Sequence, residues 1–170
     1  VDDNTLYLGT NIGLYSISNS GDEIPVDVAS LKFSLVENSD GQVYNIQKIR
    51  NSVLVGHHNG TYLINEGVAR RISNTGAWTF LISPQNFNKL IMGTYSGISF
   101  LIKNDDFWHD TSRLEGFYES SRIMELDEDN NLWMTHGYKG AFKLKIDFTN
   151  NTIDDVKFYN SNHGFPSDIL

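Results

Sequence analysis

Three observations predict an all-β chain: one hairpin pattern occurs four times, turn-rich segments separate short apolar runs, and no stretch sustains a 3.6-residue apolar period. The hairpins read "LYLGTNIGLYSIS" (6–18), "VLVGHHNGTYLIN" (53–65), "LIMGTYSGISFLI" (90–102) and "NNLWMTHGYKGAFKLKID" (130–147). Each runs through three apolar residues, Gly or Thr, Thr or His, a short polar turn, Gly, and a second apolar strand. The anchoring residues Gly13, Gly60, Gly97 and Gly140 recur at intervals of about 40 residues, the period of β-propeller blades.

Around each hairpin the sequence supplies further strands. Before it come "VYNIQKI" (43–49), "WTFLIS" (78–83) and "RIMEL" (122–126), joined to it by the bend-rich "RNS", "PQNFN" and "DEDNN". After it come "KFSLV" (32–36), "VARRI" (68–72), "DDFWH" (105–109) and "VKFY" (156–159). Four short strands per unit make a blade. The continuously apolar "VLV" and "LIM" suit a strand covered on both faces. In "AFKLKID", Phe142, Leu144 and Ile146 alternate with Lys143 and Lys145, so that strand has one wet face. The four glycines are expected to supply the positive φ of a tight hairpin.

The predicted organisation is a single β-propeller region over 1–170 with four-stranded antiparallel blades near 1–36, 43–72, 78–109 and 121–159, and a further blade beginning at 164–170. Both ends fall in mid-blade, and the glycine spacing across a join of the two ends matches the internal period. The chain therefore reads as a fragment of a larger ring, a four-bladed ring with one shared blade, or half of an eight-bladed ring built from two copies. The fragment is the favoured reading, because four blades is the low end of the range. An open arc exposes strand edges and an apolar blade face, so self-association is expected.

Composition excludes several classes. A net charge of −8 opposes binding to a phosphate backbone, and "ARR" at 69–71 is too small a patch to reverse it. The absence of cysteine removes disulfides, thiolate chemistry and Cys-ligated zinc. The longest apolar runs are far short of the roughly 20 residues that span a bilayer, and no signal-peptide pattern opens the chain, so no membrane contact is expected of this segment.

The rim formed by the hairpin turns, the connections between blades and the starts of the innermost strands gathers Asn11, Asn59, Lys139 and Asn162 with the candidate ligand-binding residues Tyr44, His57, His58, Trp78, Tyr95, Arg122, His136, Tyr138 and His163. Aromatic faces with amide, imidazole and guanidinium donors are what a sugar requires, since it presents apolar C–H faces and a ring of hydroxyls. Read singly, Tyr95 and Tyr138 are exposed turn residues and Trp78 an inter-blade core residue. His57, His136 and His163 lack metal-site spacing. His57 and His136 occupy the slot held elsewhere by Thr10 and Thr94, which points to a hydrogen bond to the turn. "DEDNN" (127–131) starts like a calcium loop, but Leu132 stands at the glycine position and Tyr138 at the bidentate Glu position, leaving a solvated turn. No metal and no cofactor is predicted. With no G-x-S-x-G and no paired carboxylates, this segment is expected to be non-catalytic; a protein-interaction platform and a propeller hydrolase or lyase are the alternatives.

Three segments, "GFPSDIL" (164–170), "LDEDNNLWMTHGYKGAFKLKID" (126–147) and "LYLGTNIGLYSIS", resemble the two-component regulator propeller repeats of Bacteroidetes-type sensors, whose pattern runs G-L-P-S, D-x-x-G-N, L-W-I-G-T, G-L-Y-R-L. Only the last unit carries the tryptophan, Trp133. His57 replaces Thr in the second unit, and Thr135 replaces Gly in the last, which has one extra turn residue. The resemblance implies the periplasmic sensor region of a membrane-bound hybrid histidine kinase or related transcriptional regulator, responding to an oligosaccharide or other small molecule. Any kinase or DNA-binding part would lie elsewhere in a parent protein.

Overall fold

A computed structural model describes residues 5–18, 32–105 and 107–169. The positions read as an entry turn at 1–4, Asp106 of "DDFWH" and Leu170 lie outside the described residues. Among the described residues fifteen strands form antiparallel meanders in chain order. The first sheet holds β1 (Thr5–Gly9), β2 (Leu14–Ser18) and β3 (Ser34–Leu35). The second holds β4 (Val43–Ile49), β5 (Ser52–His57), β6 (Gly60–Asn65) and β7 (Val68–Ser73). The third holds β8 (Ala77–Ile82), β9 (Lys89–Thr94), β10 (Gly97–Asn104) and β11 (Phe107–Arg113). The fourth holds β12 (Ile123–Leu126), β13 (Leu132–His136), β14 (Gly140–Asp147) and β15 (Thr152–Tyr159). Three outer strands depart most from the sequence reading: β3 is confined to Ser34–Leu35 within the expected 32–36, β11 runs four residues beyond the expected end at 109, and β15 begins at Thr152. Residues 164–169 follow a 3-10 turn at Ser161–His163 and form no strand.

The chain divides into two compact units, Val1–Gly76 and Ala77–Leu170, each built on two sheets. In the first, Leu14, Val36, Val55, Tyr62 and Ala69 form a buried cluster, and β1 lies beside β4. In the second, the larger core of Ile91, Ile98, Phe100, Leu114, Phe117, Met124, Leu132, Met134, Leu144, Ile146 and Phe148 lies between the third and fourth sheets, whose innermost strands β8 and β12 are neighbours. All residues of β5 and β9 are buried, as their unbroken apolar runs require. Lys89 ends the buried row of β9 with its stem sheathed by protein. Its Nζ donates to the Phe148 carbonyl and Asn151 Oδ1 and lies 4.6 Å from the Phe100 ring centroid, tying the third sheet to the turn after β14.

The hairpin glycines differ from expectation in their cause. Gly97 and Gly140 do have positive φ, 117° and 118°, but Gly13 and Gly60 do not. Gly60, Gly97 and Gly140 instead lack room for a side chain against the backbone, while at Gly13 the obstacle is the movable end of a leucine side chain. A β-carbon would stand 2.5 Å from Leu35 Cδ1 at Gly13, 2.8 Å from the Ser73 carbonyl oxygen at Gly60, and 2.3 Å from the Phe117 and Tyr159 carbonyl oxygens at Gly97 and Gly140. The common requirement is close approach of the outer segment.

Inter-sheet packing imposes the same demand at Gly93, where a β-carbon would lie 2.2 Å from the Ser121 carbonyl oxygen and 3.2 Å from Met124 Sδ. The backbone there is held by the Ser121 N–H bond to the Thr94 carbonyl at 2.9 Å, so it cannot retreat freely. Gly93→Ala is therefore expected to destabilise the chain by about 1–3 kcal/mol through overpacking. Urea denaturation of the two proteins checks this, and equal midpoints would refute the packing argument.

Candidate functional site

In two sheets, one register defect aims the rim side chain. β4 pairs Val43 with His57 and Asn45 with Gly56, which leaves Tyr44 as the extra residue of a bulge. β8 pairs Ala77 with Thr94 and Thr79 with Gly93, which leaves Trp78 in the same position. A bulge redirects its extra side chain away from the regular alternation. In the fourth sheet Ile123 pairs with Thr135, so Arg122, just before the strand, holds the corresponding place.

Within the second unit these positions converge. The Arg122 guanidinium carbon lies 4.7 Å from the Trp78 ring centroid and 6.0 Å from that of Tyr138. Trp78 meets Tyr95 at 4.6 Å between centroids, with the rings inclined by 57°. The His136 and Tyr138 rings are 6.3 Å apart. The result is a continuous Tyr95, Trp78, Arg122, Tyr138 face, with Tyr138 71% and Tyr95 49% exposed. At the margin Lys139 Nζ donates to both Glu119 oxygens at 3.0 and 2.7 Å, and His136 Nε2 lies 3.6 Å from Glu119 Oε2. A guanidinium over an indole is attracted by the ring quadrupole, and the exposed flat faces remain open to a ligand's C–H surface.

The first unit brings together Tyr44, His57 and His58. His58 is exposed and holds the preceding loop: its Nδ1 accepts from the Gln42 N–H at 3.1 Å, and its own N–H donates to the Gln42 carbonyl at 3.0 Å. Tyr44 reaches the Gln42 side-chain oxygen at 3.5 Å. His57, read as a rim ligand group, is instead 1% exposed, with its ring packed against His58 and Tyr62 at 4.5 and 5.2 Å. Burial pushes its pKa below the ordinary histidine value, against the hydrogen bond with Asn59 that raises it.

The slot shared by Thr10, His57, Thr94 and His136 has one function in all four hairpins. Thr10 Oγ1 accepts the Ile12 N–H at 3.2 Å and Thr94 Oγ1 the Ser96 N–H at 3.3 Å. His57 Nδ1 accepts the Asn59 N–H at 3.3 Å, and His136 Nδ1 the Tyr138 N–H at 3.2 Å. A hydroxyl and an imidazole nitrogen thus close the same turn. His163 is separate from the aromatic face. It caps the 3-10 turn, with Nδ1 2.9 Å from Asn160 Oδ1, and its ring meets Tyr159 edge-on at 5.7 Å.

The acidic turn at 127–131 closes on Asp127. Its carboxylate accepts N–H groups from Asp129, Asn131 and the Asn131 side chain, the Trp133 indole at 3.0 Å, and Lys143 at 2.9 Å. These protein donors fill the oxygens that a calcium reading would have required. The sequence reading missed Glu119, which lies in the "GFYES" connection leading to Arg122, and Gln42, which precedes Tyr44. Both could have been found by treating residues just before an innermost strand as part of the rim.

Antiparallel meanders of three and four strands, stacked in pairs about a buried apolar layer, define propeller blades, and the chain is a β-propeller segment of about four of them. Among solved structures it is similar to the extracellular domain of BT4673 from B. thetaiotaomicron, a proposed one-component system, with TM-score 0.70 and 17% identity over 100% of this chain. A second structure of that extracellular domain, described as belonging to a proposed hybrid two-component system, gives TM-score 0.68 and 17% identity over 99%. This chain spans 23% of the length of either. A luciferin-regenerating enzyme matches at TM-score 0.52 and 12% identity, over 96% of this chain and 59% of its own. No family model and no curated protein matches. Among the described residues no helix is long and apolar enough to cross a membrane.

Asp127 supplies a pH test of the last blade. Desolvation disfavours its charge, but the hydrogen bonds from Lys143, Trp133 and Asn131 prevail and hold the carboxyl well below the usual carboxylate range. Because the folded value is depressed, the unfolded chain takes up the proton first on acidification. The stabilisation is complete above the ordinary value of 3.8 and is lost as pH falls below it. Asp127→Asn should melt below the parent at pH 7, with the gap in Tm narrowing toward pH 2. A gap that stays constant in thermal scans would refute this assignment.

Proposed function

We propose that this chain is a non-catalytic, ligand-binding propeller region of a membrane-bound regulator of the two-component type, located on the periplasmic side and taking a glycan-derived ligand. The observation that carries the reading is the Tyr95, Trp78, Arg122, Tyr138 face, which joins aromatic planes to a guanidinium stacked over Trp78. The sugar's C–H face lies on the rings while its hydroxyls accept from Arg122 and exchange bonds with the Glu119 and Lys139 pair. Support for the sensor assignment comes from the shared fold of the BT4673 extracellular domain.

Fluorescence titration of the chain against a panel of oligosaccharides tests the reading. Saturable quenching without new products is expected, with affinity reduced at least tenfold in Trp78→Ala and Arg122→Ala. Release of shorter sugars, or unchanged affinity in both variants, would refute it.

Signalling in this reading is a change in the relative placement of two chains, which a ligand produces only to the extent that it binds one arrangement more tightly. The first sheet offers an apolar face for such association. Leu6 and Leu8 project to one side of β1 and are 47% and 49% exposed, and Leu35 is 45% exposed. Light scattering should show mass rising with concentration for the parent chain and a monomer for Leu8→Glu; a parent that stays monomeric at high concentration removes the association step.

A further inference from the structure

A second cleft, unrelated to the aromatic face, lies in the first unit along the edge strand β7. It is a shallow, open depression of about 480 Å3 lined by Asn38, Asp40, Asn59, Tyr62, Arg70 and Arg71. That volume falls within the roughly 300–1,000 Å3 of small-molecule clefts. Its walls are fixed by the backbone. The connection after β3 runs alongside β7 through the Ala69 N–H bond to the Glu37 carbonyl at 2.9 Å. Ser39, buried in that connection, bonds the Val36 carbonyl at 2.7 Å and the Leu14 N–H at 3.1 Å.

The register of β6 and β7 sets Tyr62 opposite Arg71. The Tyr62 hydroxyl donates to Asn59 Oδ1 at 2.8 Å and accepts from Arg71 Nε at 3.2 Å and Nη2 at 2.9 Å. Tyr62 is 5% exposed and therefore a rigid post. Two of the five guanidinium N–H groups are spent on this neutral oxygen, and the plane is locked; among the described residues the remaining three meet no carboxylate. Gly60 keeps the approach open, because a β-carbon there would stand 3.3 Å from Arg71 Nε.

We propose that this cleft is a binding site for a small hydroxylated carboxylate, with Arg71 taking the carboxylate through its free edge. An orientated guanidinium edge matches the two oxygens of a planar carboxylate. The neighbouring Asp40 and the amides of Asn38 and Asn59 accept hydroxyl donors from the rest of the ligand. Asp40 and the net charge of −8 favour a monoanion over a phosphate dianion. On the aromatic face of the second unit the Arg122 guanidinium is stacked over Trp78, whereas Arg71 is held by hydrogen bonds to a tyrosine hydroxyl, so the two sites present their guanidinium groups differently.

Titration of the full chain with sodium D-glucuronate, D-glucose and inorganic phosphate, followed by amide shifts at Asn59 and Ala69, tests the proposal. Glucuronate should shift these amides saturably, with glucose and phosphate at least tenfold weaker. Arg71→Gln should abolish the shifts. Tyr62→Phe, which keeps the ring and frees the guanidinium, should weaken glucuronate several-fold with the fold retained by circular dichroism. Trp78→Ala should leave the site unchanged, which separates it from the aromatic face. Equal response to glucose or phosphate, undiminished binding in Arg71→Gln, or no shift with glucuronate would each overturn the assignment.

Discussion

Close approach of an outer backbone segment to the turn between a sheet's second and third strands governs much of this architecture. Gly60, Gly97 and Gly140 each face a carbonyl oxygen that a β-carbon would strike, and Gly13 faces a leucine methyl. Where those carbonyls come from differs. Ser73 and Tyr159 end β7 and β15, whereas Phe117 lies beyond β11 in the connection to the next sheet. What recurs is the absence of space, which pulls the outer segment over the hairpin and permits sheets to stack. Positive φ is a local solution in two of the four hairpins.

The residue three or four places before that glycine shows how one mechanical task leaves chemical freedom. A threonine closes the turn and stops there. A histidine closes it with Nδ1 and has Nε2 left over, which at His136 faces the Glu119 carboxylate at 3.6 Å. At His57 the same substitution is buried, so the second nitrogen faces protein and the burial itself depresses its basicity. Equivalent sequence slots thus become a half-buried rim position beside a carboxylate in one sheet and a core position in another, according to how deeply the neighbouring segment covers them.

That difference explains how far the sequence could be read. The glycine period, the apolar runs of β5 and β9, and the alternation in β14 were legible because each reflects a geometric rule that acts on every blade. Trp78, Tyr95, Arg122, His136 and Tyr138 were legible as a set because blade order places their turns and strand starts on one edge. The ends of outer strands were harder: β11 extends to Arg113 through a bulge between Ser99 and Leu101, and no residue pattern marks it. His57 was misjudged as a surface group because slot identity gives position along the hairpin and nothing about cover. The Tyr62 and Arg71 pair stayed hidden because its partnership depends on another bulge, between Thr61 and Tyr62, which shifts the register of β6 against β7.

Bulges therefore carry much of the functional layout. A regular first strand would alternate its side chains between the two faces of the sheet, both of which are packed in a stacked blade. Inserting one unpaired residue at Tyr44 and at Trp78 breaks that alternation at the strand's first turn of pleat, where the edge opens to solvent. The third case reaches the same end without a bulge, by placing Arg122 one residue ahead of β12. An aromatic, an indole and a guanidinium thereby hold one repeated position while the pairing beneath them stays antiparallel and nearly uniform. Chemistry at that position can change from blade to blade because the ladder does not depend on it, and for the same reason a repeat built on packing can carry sites that differ in charge and polarity.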